Sequence, residues 1–292
     1  MNTDNILQTK SSAPCVALVY DFDGTLSPGN MQEFGFIQAT GLDAAAFWQK
    51  NNQMAEANDA NGILCYMYMM LQGARANNLS LRRRSFRQWG SHVVLYPGVE
   101  GWFDRINRFG AQLGLKVEHY INSSGLKEMI EGTPIAHHFK NIYASSYLYD
   151  VDGVAFWPAV AVDYTAKTQF LFKINKGIPE VSDNMKINSF MPEEDRPVPF
   201  RRMIYFGDGS TDIPSMKMVK SNGGHSIAVY ANEDRLKSQA LRLVDENRAN
   251  FALPANYEAD QPLEATVQKI LKKIKADYDV ENIARKSALH HI

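Results

Sequence analysis

The chain has 292 residues, 45% of them apolar, enough for one large core with a smaller inserted unit. Its 31 basic and 32 acidic side chains leave a formal net charge of −1, which argues against a nucleic-acid partner held by a global basic surface. Cys15 and Cys65 form no CxxC pair and no Cys/His cluster, so a disulfide framework or zinc site is not expected, and two buried thiols in a reduced cytoplasm fit instead. The polar stretch 1–13 reads as an N-terminal leader without secretory character. No apolar run is long enough to span a bilayer, so a cytoplasmic protein without a membrane partner is expected.

The first strong element is Val16-Ala17-Leu18-Val19-Tyr20, a short apolar run ending at Asp21. Such a run fits a strand buried on both faces of a parallel sheet. Residues 29–93 change character: Ala, Met, Gln and Asn dominate, with helix patterns after Asp43 and over 63–76. They read as a helical cap inserted into a core made of 14–28 and 94–292. A helix is predicted over 98–109, with Trp102, Ile106 and Phe109 at helical spacing, then a strand over 115–121 and a helix start at 126–131. Asp152-Gly153 marks a hairpin between 141–149 and 154–162, with Trp157 read as a core residue. Thr165 is placed as the N-cap of a helix running to about Lys176. Four prolines between 179 and 199 predict a long loop or flap. Strands follow at 203–206 and 226–230, and an amphipathic surface helix at 262–275. The expected fold class is α/β: a Rossmann-like parallel sheet with an inserted α-helical cap after the first strand.

In such sheets ligands sit beyond the carboxyl ends of the strands, and polar clusters fall there three times: Asp21/Asp23, Ser123 and Asp208. Of two neighbouring carboxylates, one can attack phosphorus and the other can move protons for the leaving oxygen and for water. Gly24 lets the chain turn tightly, although a bare DxDG also fits a solvated turn. Ser123 can donate to a phosphoryl oxygen, helped by N–H groups at the following helix start, or serve as an ordinary N-cap. Lys167 lies in the first turn of its helix, where the helix dipole disfavours it, and it can neutralise Asp21; Lys173 and Lys176 compete for that role. Asp21, Asp208 and a backbone carbonyl near Asp23 can supply hard oxygen ligands for Mg2+, while Asp212 can bind a metal water or orient Lys167.

Taken in order, DFDGT (21–25), INSSG (121–125), AKTQFL (166–171) and GDGSTDIPSM (207–216) resemble the motifs of the haloacid dehalogenase superfamily of phosphohydrolases. The resemblance implies Asp21 as nucleophile and metal ligand, and Asp23 as general acid/base whose carbonyl is a second metal ligand. It also implies phosphate-binding by Ser123 with Ser124 and Gly125, Lys167 as the charge-neutralising lysine that contacts the phosphate, Asp208 as the acidic ligand of Mg2+ and Asp212 as its supporting acid. An acid at Asp23 is similar to the phosphatases and mutases of the superfamily, and the cap position resembles the phosphoserine phosphatase branch. That branch carries a glutamate nine residues after the nucleophile, where this chain has Asn30, with Glu33 three residues on. The implied activity is Mg2+-dependent hydrolysis of a small phosphorylated metabolite through an aspartyl-phosphate. Phosphotransfer by the same intermediate, or binding of a phospholigand without turnover, are the alternatives.

Other clusters read as structural. Arg82, Arg83, Arg84 and Arg87 fit a solvated helix face, Tyr66, Met67, Met69 and Met70 fit packing between cap helices, and His137-His138 lacks a partner at metal spacing.

Overall fold

The computed structural model describes residues 13–289. The leader expected over 1–13 therefore lies, apart from Ala13, outside the described residues. Among the described residues no helix is long and apolar enough to cross a membrane.

Seven strands form one sheet in the order β4-β3-β2-β1-β5-β6-β7. They are β1 (Cys15–Tyr20), β2 (Lys116–Leu126), β3 (Phe139–Tyr149), β4 (Ala155–Val160), β5 (Met203–Gly207), β6 (His225–Tyr230) and β7 (Phe251–Pro254). All neighbours are parallel except β4, which pairs antiparallel with β3 at one edge. β1 is central because it is buried on both faces: Val16, Leu18 and Tyr20 enter one apolar cluster, and Ala17 and Val19 the other. From β1 the chain builds outward through β2, β3 and β4, then returns to its other side with β5. The order thus reverses beside β1, where a crevice opens beyond the strand ends.

Helices α1 (Phe36–Ala39), α2 (Ala44–Ala57), α3 (Gly62–Ala76), α4 (Arg83–Gly90) and α5 (Val99–Gln112) lie between β1 and β2. Asp43 caps α2 through a bond from the Ala46 N–H, and Asn61 caps α3 through bonds from Ile63 and Leu64. Apolar side chains of these helices, including Phe36, Phe47, Met67, Met70 and Phe86, share the cluster that covers the Leu18 face of the sheet. The inserted segment is also tied to the sheet edge: Ala155 donates its N–H to the Leu81 carbonyl, and Arg83 to that of Gly153. These bonds cover part of an edge strand that would otherwise be open.

The remaining helices are α6 (Lys127–Ile130), α7 (Ala166–Lys176), α8 (Asn184–Asn188), α9 (Ile213–Ser221), α10 (Asp234–Asp245) and α11 (Pro262–Leu289). Several expectations change. β2 continues through an irregular register to Leu126, so Ser123 lies inside the strand and is no helix N-cap, and α6 is a single turn. Thr165 occupies the N-cap position of α7 without a side-chain capping bond. The 179–199 segment contains α8 and a 3-10 turn, held by Lys173 and Lys176, whose ammonium groups donate to backbone carbonyls of Glu180, Asp183, Ile187 and Ser189. Trp157 is no core residue: it is 63% exposed, because β4 is the last strand and only its Ala155 is fully buried.

Beneath the crevice, a buried chain of hydrogen bonds links the layers. Trp102 Nε1 donates to Tyr20 Oη (2.9 Å), Tyr20 Oη lies 3.1 Å from His119 Nδ1, and His119 Nε2 lies 3.0 Å from Asn107 Oδ1. A neutral imidazole protonated on Nε2 fits this order: the Tyr20 hydroxyl, which accepts from Trp102, donates to Nδ1, and Nε2–H donates to Asn107 Oδ1. Burial, and then the neighbouring His138, push His119 down to about 3. A depressed histidine stabilises the fold above its ordinary value near 6.5, and that contribution is lost as pH falls towards 3, because the unfolded chain then binds the extra proton. Between pH 7 and 5 this group is expected to cost about 2 kcal/mol. Urea unfolding of the parent and of His119→Gln at both pH values measures it: the pH-dependent loss should be smaller in the variant by about that amount, the other titrating groups being common to both.

Candidate active site

The parallel register sets the site. Tyr20 is level with Ile121 of β2 and Phe206 of β5, so the next residues stand at one height: Asp21 just past β1, Gly207 at the end of β5 and Asn122 inside β2. Asp21 keeps its backbone in the sheet through an N–H bond to the Phe206 carbonyl (2.9 Å). The chain then turns sharply, with the N–H groups of Thr25, Leu26 and Ser27 all directed at the Phe22 carbonyl. Gly24 makes that turn with φ +73°, and a Cβ there would collide with the Asp208 carboxylate. Gly207 is equally constrained: a Cβ would lie 2.5 Å from Asp212 Cγ.

Behind Asp21 sits a fully buried lysine. Lys167 Nζ is 2.9 Å from Asp21 Oδ2 and 2.7 Å from Asp212 Oδ1. Asp212 is also bonded by the Tyr205 hydroxyl at Oδ1 (2.7 Å) and by the Asp208 N–H at Oδ2 (3.3 Å). Asn122 fixes the lysine's helix by donating to the Lys167 carbonyl (2.9 Å). Asp21 Oδ1 accepts the Phe22 N–H (2.7 Å), and Asp23 Oδ1 accepts the Met31 N–H (2.9 Å).

The charges do not balance. Burial first, then Asp212, push Asp21 up to about 7, against the opposing pull of Lys167. Burial and then Asp21 push Asp23 well above the usual carboxylate range. Burial, then Asp212 and Asp21, do the same to Asp208. Burial disfavours the charge of Lys167, but the two carboxylates beside it outweigh that effect and raise its affinity for the proton. One buried cation thus serves several acids, an arrangement that a further cation would relieve. Asp21, Asp208 and Asp212 can each place a carboxylate oxygen within 4.8 Å of the others. Asp212 is fully buried and off the cavity wall, which leaves Asp21 and the partly exposed Asp208 as the donors facing the crevice. Hard oxygen donors of this kind fit Mg2+.

The crevice is a cavity of about 560 Å3, walled by Asp21, Asp23, Ser123, Ser124 and Asp208 on the sheet side. Lys167 and Asp212 stand behind Asp21. Ser123 Oγ accepts the Gly125 N–H (3.0 Å), leaving its own hydrogen free to donate, while that N–H is occupied. Gly125 itself packs so close to Met31 and Asp23 that a Cβ would collide with the Met31 side chain. Lys173 and Lys176 point to the 179–199 segment and do not enter the cavity wall. The cap arginines also lie outside that wall: Arg82 bonds the Asp152 carbonyl, Arg83 stacks over Tyr149 and Arg87 pairs with Glu131. Sequence reasoning missed Asn122 and Tyr205, whose partners become visible only through the register, and the cap residues Gln32, Trp48 and Asn51, whose spacing carries no distinctive pattern.

Solved structures share this architecture. A substrate-bound phosphoserine phosphatase complex aligns with a TM-score of 0.52 at 14% identity, covering 81% of this chain and 91% of that one. A HAD family hydrolase from Salmonella enterica serovar Typhi gives 0.53 at 12% identity, covering 82% and 68%. A probable phosphoserine phosphatase from Vibrio cholerae gives 0.53 at 12%, covering 92% and 69%. The chain has the haloacid dehalogenase superfamily fold in its phosphoserine phosphatase-like form. It also belongs to one family with an uncharacterized protein of Borreliella burgdorferi, 30% identical over 269 residues that cover 83% of this chain and 91% of the relative. No protein-family model matches the chain.

Removing the buried cation should be costly. Lys167→Met is expected to destabilise the metal-free protein by about 3–5 kcal/mol, because two carboxylates lose their partner. In an Asp21→Asn background the cost should shrink measurably, since only Asp212 is then left uncompensated. A double-mutant cycle by urea unfolding checks both values.

Proposed function

We propose that the chain is a Mg2+-dependent phosphomonoesterase that forms an aspartyl-phosphate on Asp21. One observation carries this reading: Asp21 and Asp23 open from the end of β1 into the same cavity as Ser123 and Asp208, with Lys167 bound to Asp21 from behind. The cavity's volume suits a small phosphorylated metabolite.

In the proposed reaction a carboxylate oxygen of Asp21 attacks phosphorus in line with the ester oxygen. The ester P–O bond breaks, and Asp23 passes its proton to the departing alkoxide. The raised proton affinity of Asp23 suits an acid that must still hold its proton near neutral pH. Water then attacks the same phosphorus, Asp23 takes its proton back, and the P–O bond to Asp21 breaks to release phosphate. Lys167 offsets charge on Asp21 and on the transferring group, and the Ser123 hydroxyl donates to a phosphoryl oxygen. Asp21, Asp208 and the Asp23 carbonyl would hold Mg2+. When bound, the ion supplies positive charge to the phosphoryl oxygens and keeps Asp21 ionised.

Hydrolysis of p-nitrophenyl phosphate with Mg2+ tests the reading. Chelation should abolish turnover and added Mg2+ restore it. Asp21→Asn should lower kcat by at least about 1000-fold while circular dichroism is unchanged, and full activity in that variant would refute the nucleophile assignment. Asp23→Asn should lose roughly 100-fold or more with the same substrate, an unaffected rate removing its proton-transfer role. Product analysis with added alcohols separates hydrolysis from phosphotransfer.

A further inference from the structure

The cap side of the cavity has a chemical character of its own. Its lining there includes Asn30, Gln32, Trp48, Asn51, Tyr66 and Asp163. No lysine, arginine or histidine lines the cavity anywhere among the described residues. The carboxylates beside it are not neutralised: neither Asp163 nor Glu33 forms an ion pair with a described residue, and each is held by neutral donors instead. Asp163 accepts from Asn61, while Glu33 Oε1 accepts from Asn30 Nδ2 (2.6 Å) and Trp48 Nε1 (2.6 Å).

Two further features point the same way. Gln32 and Asn51 are 1% and 6% exposed, and their carbonyl oxygens have no hydrogen-bond partner. Buried acceptors without a donor are costly and call for one from a ligand. Trp48 and Tyr66 meet edge to face, with ring centroids 5.8 Å apart, forming an aromatic corner. The Trp48 N–H is spent on anionic Glu33, which enriches the indole face in electrons and improves it as a partner for a cation. This corner adjoins the catalytic side: Tyr66 donates to the Ser124 carbonyl (2.8 Å), and Gln32 follows Met31, whose N–H holds Asp23. It therefore lies where a leaving group protonated by Asp23 would sit.

Resting on the phosphatase reading above, we infer that the leaving group is a small amino alcohol carrying a primary ammonium and no carboxylate. The ammonium supplies N–H donors for Gln32 and Asn51 and a positive charge for the aromatic corner and the unpaired carboxylates. An amino acid or a second phosphate on the leaving group would find no cation on the wall to receive it. A quaternary ammonium would satisfy the charge but none of the orphaned acceptors.

The test measures kcat/KM of the Mg2+-loaded full chain for phosphoethanolamine, phosphoserine, phosphocholine, glycerol 3-phosphate and p-nitrophenyl phosphate. Phosphoethanolamine should exceed the other three biological esters by at least tenfold. Asn51→Leu and Gln32→Leu should each narrow its advantage over p-nitrophenyl phosphate by about tenfold, with KM carrying most of the change. Comparable or better turnover of phosphoserine, phosphocholine or glycerol 3-phosphate overturns the inference and leaves the phosphatase reading standing. Calorimetric binding to Asp21→Asn covers the remaining case. Selective binding of phosphoethanolamine in a protein whose parent turns over no ester refutes hydrolysis but supports the recognition, and absence of both refutes both.

Discussion

The structure around the crevice depends on one ammonium group. Lys167 has no exposure and two carboxylate partners, and each partner belongs to a different element: Asp21 to the end of β1 and Asp212 to the turn before α9. An ammonium this deep is tolerated only if its charge is met from both sides, and the carboxylates are tolerated only if the ammonium is there. The same contact therefore binds α7 to both halves of the sheet. Asp212 lies off the cavity wall with its oxygens on Lys167, Tyr205 and the Asp208 N–H, whereas Asp21 and Asp208 line the cavity.

That network closes only because several backbones come unusually near. Gly24 lets the first turn pass against the Asp208 carboxylate, and Gly207 lets Asp212 fold back beneath the end of β5. A methyl group at either place would separate the acids that must share one space. The excess of buried negative charge is the energetic consequence of packing them together. It is expensive in the protein alone, and a divalent cation at these oxygens would offset that cost.

Much of this was legible in the sequence for a physical reason. A strand buried on both faces must be continuously apolar, so a carboxylate directly after it marks the strand's end, and Asp21 and Asp208 were readable that way. Lys167 stood out as a cation at the unfavourable end of a helix. Asn122 and Tyr205 were not readable, because their importance comes from lateral register between strands far apart in the chain. Ser123 lines the cavity from inside a strand that the sequence ends too early, since a polar pair reads as a strand terminus and an irregular register leaves no sequence signature. Trp157 failed for the opposite reason: aromatic character signals burial on average, and an edge strand is where the average does not apply.

The inserted helices are held differently at their two ends. At one end the insertion is fixed. Gly90 of α4 presses its backbone against the Met129 carbonyl, Gly132 lies against the Arg87 carbonyl, and residues 81–83 hydrogen-bond to the β3–β4 hairpin. A segment clamped in this way has little freedom to swing as a whole. At the other end, α2 and the start of α3 face the cavity, and the polar ties to the core there are side-chain bonds: Asn61 to Asp163, Tyr66 to the Ser124 carbonyl and the Tyr147 hydroxyl to the Met67 carbonyl. The residues that would meet a leaving group, Trp48, Asn51 and Tyr66, all sit on these two helices, away from the clamp. They can therefore change without disturbing Asp21, Lys167 or Asp208, whose positions are set by strand register and buried charge. Side-chain hydrogen bonds of this kind yield more readily than the close backbone packing and paired strand edge of the clamp, so the cavity end is the less firmly held of the two.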